Sequence, residues 1–195
     1  MRALQWNFGD LLDGIEAVLP PDAPALAHAE RTVTWGALRR RSNNLAAALL
    51  ARGARPGDRV AFYLRNATEY LEALAACFKA RLVHVNVNYR YLDDELHYIL
   101  DNSDARFIVF GDEFSDRVGR IRERLPHVAG WIQTGGGALP FAEAFDALAE
   151  AGGGAPLGLE RSPDDLLFVY TGGTTGMPKG VMWRAADLWG ALGFG

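Results

Sequence analysis

Apolar positions along this chain switch between a period of two and a period near 3.6, segment after segment. Leu11, Leu12, Ile15, Val18 and Leu19 recur at helical spacing, so a short amphipathic helix is expected near the start, ended by Pro20-Pro21-Asp22. Residues 25–28 and 32–34 read as two short strands about a turn at Glu30-Arg31. Thr34 is placed to cap a helix running to about Arg52, with Leu38, Leu45, Ala46, Leu49 and Leu50 inward and Gly53 as its stop. The alternation then continues as strand 59–64, helix 67–79, strand 82–87, a helix from Asp93, strand 106–110, helix 113–125 and strand 129–133. Asp93, Asp94 and Glu95 suit the positive end of a helix dipole, which favours a helix start over a metal site.

Such alternation predicts an α/β fold, with βαβ units in a largely parallel sheet and helices on both faces. From 134 to 165 the composition changes. Gly135-Gly136-Gly137 and Gly152-Gly153-Gly154 bracket one helical pattern, 141–151. This stretch reads as a surface excursion between a first α/β segment, 1–133, and a last one, 166–195.

Composition narrows the function classes. The 195 residues are 49% hydrophobic and 23% charged, as in ordinary globular chains, and a formal net charge of -4 argues against a nucleic-acid partner. The acidic residues among Met1 to Leu19 exclude a secretory signal, and no stretch approaches the ~18 apolar residues of a membrane helix. The single cysteine, Cys77, excludes an intrachain disulfide and a cysteine-based zinc site; a cytoplasmic location is expected.

The chemistry concentrates in one loop. After the apolar run 166–170, which reads as a buried strand, comes Thr171-Gly172-Gly173-Thr174-Thr175-Gly176-Met177-Pro178-Lys179-Gly180. A strand opening into glycines, threonine hydroxyls and one lysine offers what phosphate oxygens require: backbone N–H groups, hydroxyl donors and a cation. A Walker A loop is ruled out, because Lys179 is followed by Gly180 and Val181 rather than Ser or Thr. The dinucleotide fingerprint fails too, since Thr171 stands where its first glycine belongs. The competing reading is a plain glycine turn between strands, but hairpin turns ordinarily need two to five residues.

Tyr170 through Gly180 resembles the phosphate-loop signature of the acyl-adenylate-forming superfamily of acyl-CoA synthetases, luciferases and peptide-synthetase adenylation domains. Thr32-Val33-Thr34-Trp35-Gly36-Ala37-Leu38 resembles its early Leu-Thr-Tyr-x-Glu-Leu motif. Residues 78–88 resemble a second motif, Leu-Lys-Ala-Gly-x-x-x-Val-Pro, with Arg81 in place of its glycine. Gly172 stands where the family commonly has Ser or Thr. Asn86-Val87-Asn88-Tyr89-Arg90-Tyr91, Gly172 and Val181-Met182-Trp183 look most like the bacterial fatty-acid or steroid-acid CoA ligases.

The resemblance implies the N-terminal part of the acyl-CoA synthetase/luciferase-like fold, residues 1–195, and a two-step reaction. A carboxylate attacks the α-phosphate of ATP to give acyl-AMP and pyrophosphate, and the CoA thiol then displaces AMP. By motif position Thr171, Gly172, Gly173, Thr174, Thr175 and Gly176 would bind the phosphates. Lys179 would bind there too and act catalytically, by adding charge. ATP, Mg²⁺ and CoA are the cofactors and co-substrates implied, with a hydrophobic carboxylic acid as substrate; self-association into a homo-oligomer stays open. The chain has no Tyr-Gly-x-Thr-Glu segment, which supplies the family's metal-binding Glu, and no late lysine motif. It therefore resembles the N-terminal piece of a synthetase and is expected not to turn over ATP by itself. Two rivals are an adenylation domain loading an amino or aryl acid on a carrier protein, and a non-catalytic protein that binds nucleotide or a partner.

Smaller features carry blander expectations. Cys77 in an apolar helix face reads as a structural thiol. His28, His84, His97 and His127 lack metal-ligand spacing. Arg39-Arg40-Arg41 reads as a solvated helix face, with a CoA-phosphate or membrane contact as the alternative. Trp183 and Trp189 read as core residues rather than as an acyl-pocket lining.

Overall fold

A computed structural model describes residues 7–171 and 178–192. Helix α1 (Phe8–Val18) is capped by Asn7, whose Oδ1 accepts from the Gly9 N–H at 2.8 Å. Strands β1 (Pro24–His28) and β2 (Arg31–Thr34) form a separate antiparallel ribbon. Thr34 caps α2 (Trp35–Ala51), its Oγ1 accepting from the Ala37 N–H at 3.3 Å. There follow β3 (Arg59–Tyr63), α3 (Thr68–Lys79), β4 (Val83–Asn86), α4 (Asp93–Asn102), β5 (Ala105–Gly111), α5 (Ser115–Ile121) and β6 (Gly130–Thr134). The chain continues through β7 (Glu143–Ala144), α6 (Phe145–Glu150), β8 (Leu166–Thr171), β9 (Lys179–Arg184) and α7 (Ala185–Ala191).

Seven strands make one sheet in the order β7-β6-β5-β3-β4-β8-β9, parallel except for β9, which runs antiparallel to β8. Its two faces are covered separately, as the alternating pattern requires. On one, Val60, Phe62, Phe107 and Val109 pack with Leu45 and Leu49 of α2, Ala76 and Cys77 of α3 and Phe145 of α6. On the other, Ala61, Tyr63, Ile108 and Phe110 pack with Leu96, Ile99 and Leu100 of α4 and Val118 and Ile121 of α5. Phe62, Phe107 and Phe110 are fully buried, each contributing about 2–3 kcal/mol of transfer free energy.

The fold class matches the sequence reading, with local differences. The expected 113–125 helix is three pieces, with 3₁₀ turns at Asp112–Phe114 and Arg122–Arg124 flanking α5. The 134–165 stretch reaches into the core: β7 pairs with β6, and Phe145, Leu148 and Ala149 of α6 are buried. Arg39 and Arg40 are exposed, but Arg41 is not on a solvated face. Helical rotation turns it inward, where its guanidinium meets Glu72 of α3 at 2.8 Å and pairs with Asp146 and Glu150 of α6. Trp183 is 39% exposed rather than core, because β9 is the edge strand. Trp189 is half-buried, its ring edge-on to Phe8.

Candidate functional site

The loop singled out in the sequence joins β8 to β9. These strands pair in the register Leu166↔Arg184, Phe168↔Met182, Tyr170↔Gly180 and Thr171↔Lys179. Thr171 and Lys179 are therefore cross-strand neighbours, and residues 172–178 span between them. In topology the segment is a hairpin connection, longer than a tight turn. Gly172, Gly173, Thr174, Thr175 and Gly176 lie outside the described residues. The structure thus brings together the two ends of the predicted site, Thr171 closing β8 and Lys179 opening β9 with an exposed side chain.

The root of this hairpin is tied by Asp165. Its carboxylate accepts from the Arg81 guanidinium at 2.9–3.2 Å, from Asn7 Nδ2 at 2.9 Å and from the Ser162 N–H at 3.2 Å. Its carbonyl accepts from the Ala185 N–H at 2.9 Å, which joins the start of β8 to the end of β9. Arg81 has φ +61°, the left-handed region that a glycine fills without strain, as the resembled motif does. Its ion pair with Asp165 offsets that strain. Arg184, at the far end of β9, pairs with Asp164 at 2.9 Å and Asp187 at 2.6 Å, and its hydrogen bonds to Asp187 hold that carboxyl below its usual range.

At the carboxyl ends of β3, β4 and β8 lies a cavity of about 480 Å³, where ligands of open α/β sheets commonly bind. Asn66, Tyr70, Asn86, Tyr89 and Tyr170 line it. A larger cleft of about 800 Å³ sits at the start of α2 against Gly153–Pro156, and no described residue of β8 or β9 lines it. Tyr70 Oη lies 2.7 Å from His84 Nε2 and 3.1 Å from Asn86 Oδ1. β4 is an interior strand covered on both faces, which is why its polar His84 is buried.

Burial penalises the charged imidazole and lowers the His84 pKa from 6.5 to about 4. Between those values the unfolded chain binds a proton that the native chain refuses. His84 thus supports folding fully above about pH 6.5, and that support is lost as pH falls toward 4. We expect this residue to make stability fall by roughly 1 kcal/mol per pH unit through the window. His84→Gln should flatten the slope in urea unfolding at pH 7, 6, 5 and 4; equal slopes in both proteins would show that His84 is not the titrating group.

Cys77 is fully buried and its thiol is pushed well above the ordinary range by burial, as expected of a structural cysteine. His28 and His127 are exposed and His97 is half-buried. Among the described residues no group of three His, Cys, Asp or Glu side chains could hold a metal ion, and no helix is long and apolar enough to cross a membrane. The carboxylates that flank the hairpin in sequence, Asp164, Asp165 and Asp187, are each paired with arginine. The described residues therefore do not fit a Mg²⁺ site.

Comparison with known proteins bears on the family and the fold. The model of a family described as AMP-binding enzyme matches residues 16–192. The 3-oxocholest-4-en-26-oate–CoA ligase of Rhodococcus rhodochrous is 40% identical over 97% of this chain and 35% of its own length. A medium/long-chain-fatty-acid–CoA/3-oxocholest-4-en-26-oate–CoA ligase of Mycobacterium marinum is 37% identical over 97% of this chain and 36% of its own. The chain thus spans about a third of the length of these curated relatives. Among solved structures, an anthranilate CoA ligase in complex with anthranoyl-AMP superposes with TM-score 0.89 at 24% identity, over 97% of this chain and 37% of that one. A putative long-chain-fatty-acid CoA ligase of Rhodopseudomonas palustris gives 0.83 at 28% identity, over 96% and 47%.

Proposed function

The chain belongs to the AMP-binding enzyme family, and from that premise we propose that it supplies the phosphate-binding portion of an ATP-dependent acyl-CoA ligase for a hydrophobic carboxylic acid. The observation that carries this reading is the cross-strand pairing of Thr171 with Lys179, which sets the two ends of the glycine-rich segment side by side. Thr171, Gly172, Gly173, Thr174, Thr175 and Gly176 then present N–H and hydroxyl donors to the β- and γ-phosphates, and Lys179 adds a positive charge from the adjacent strand. The acid's carboxylate displaces pyrophosphate from the α-phosphate, and the CoA thiol displaces AMP from the acyl-AMP. The named activities of the Rhodococcus and Mycobacterium relatives favour a fatty or steroid acid over an amino acid.

Catalysis in such a site is positioning plus electrostatic stabilisation, so this portion's work is to hold the polyphosphate in line. Magnesium would arrive with ATP and offset its charge. Residues 1–195 alone are inactive on this reading, since they lack the family's Tyr-Gly-x-Thr-Glu segment. A cytoplasmic location fits a ligase whose single cysteine is a buried free thiol.

Acid-dependent ATP–pyrophosphate exchange tests the reading, measured on the full polypeptide that the gene encodes. Exchange driven by medium- or long-chain or steroid acids supports it. Exchange driven by amino or aryl acids would instead assign a carrier-loading adenylation domain. No exchange with any acid would leave only a non-catalytic nucleotide- or partner-binding role.

A further inference from the structure

Among the described residues β8 pairs with β4 in the register Val85↔Phe168, and Tyr170 packs in the same core cluster as Val85 and Val87. The last residues of β8 set where the phosphate loop begins. A side-chain hydrogen bond adds a further tie there. Tyr170 Oη donates to Asn102 Oδ1 at 3.0 Å, across to the last residue of α4. The Tyr170 ring is half-buried and packs against the α4 face of the core. It lies over Gly180, its cross-strand partner: a Cβ at Gly180 would sit 3.1 Å from Tyr170 Cζ and 3.4 Å from its hydroxyl oxygen. That separation is tighter than side chains ordinarily tolerate, so glycine leaves the ring room to reach α4.

We propose that Tyr170, Asn102 and Gly180 form a latch that fixes the ends of β8 and β9 from which the phosphate loop departs. All three are positioning residues, acting on the triphosphate through Thr171 and Lys179. The proposal rests on the functional reading above, and it gives the final glycine of the loop signature a task apart from phosphate contact. Asp165 anchors the root of the hairpin, and the latch acts near the Thr171 and Lys179 end of its two strands.

The test uses Tyr170→Phe, Asn102→Ala, Gly180→Ala and the Tyr170→Phe/Asn102→Ala double variant in the full gene product. Without nucleotide, amides of β9 should exchange with solvent faster in every variant while the Tm stays near that of the parent. The KM for ATP in pyrophosphate exchange should rise roughly 3- to 10-fold, the loss of one neutral hydrogen bond, with kcat and the KM for the acid within two-fold. The double variant should be no worse than either single, and Asn102→Asp, which keeps an acceptor oxygen, should restore the parent KM. Unchanged amide exchange and unchanged KM for ATP would overturn the latch, as would additive single effects or a loss explained by a lower Tm. A parent that shows no exchange with any acid overturns the functional reading and the latch's purpose with it; faster β9 amide exchange in the variants would then mark the contact as structural only.

Discussion

Glu72→Ala is expected to destabilise the chain by about 3–5 kcal/mol and to lower its Tm by roughly 10 °C. Glu72 is fully buried between α2 and α3 and accepts from Arg41 Nε and Arg31 Nη2, both at 2.8 Å. Burial pushes its pKa above the usual carboxylate range, and the two guanidiniums oppose that push. The partners thus favour the charged carboxylate against an unfavourable surrounding. Removing it leaves Arg41 buried without its α3 partner, still tied to α6 through Asp146 and Glu150. The α2–α3–α6 layer then loses its charged joint. Glu69→Ala is the control, because Glu69 also meets Arg31 but at a partly exposed pair, for which about 0–1 kcal/mol is expected. Thermal and urea unfolding of both variants check this; equal small losses would show that the network is energetically neutral.

This network also marks how much of the molecule the sequence discloses. The parallel sheet was legible because its strands and helices alternate with unambiguous periods, and helix α2 was legible down to its Thr34 cap. Buried charge was not. Arg41 looks like its neighbours Arg39 and Arg40 until the partners on α3 and α6, far away in sequence, are brought beside it. Lys79 is likewise fully buried, with Nζ 2.7–2.8 Å from the buried Glu16 carboxylate and 3.0 Å from Asn43 Oδ1, which fastens α1 to α3. A long-range pair of this kind leaves no periodic trace.

The candidate site divides the same way. The loop's composition suggests phosphate chemistry, but β9 is not legible because Val181-Met182-Trp183 is short and follows glycine and proline. Without β9 there was no means to see that Lys179 stands beside Thr171. Nor could Tyr170 be given a role, since its partner Asn102 lies at the end of a distant helix. Arg81 is the reverse case: its departure from the motif's glycine was visible in the sequence, and the left-handed backbone with its Asp165 pair supplies the reason it is accommodated.

Lys179→Ala in the full gene product is expected to lower kcat/KM for ATP in pyrophosphate exchange by about 10- to 100-fold, the worth of one charged hydrogen bond to phosphate. The side chain is exposed at the first position of β9, so its loss should leave folding unchanged within about 0.5 kcal/mol. Its backbone is fixed by pairing with Thr171, so the sheet sets the point from which the side chain departs. Lys179→Arg keeps the charge but replaces a compact ammonium with a planar fork, and should recover only part of the rate. If Lys179 acts on charge that builds during transfer, kcat falls more than the KM for ATP rises; if it only holds the bound triphosphate, the KM rises alone. An unchanged exchange rate in Lys179→Ala would remove the lysine from the site and leave phosphate binding to the backbone and hydroxyl donors of the loop.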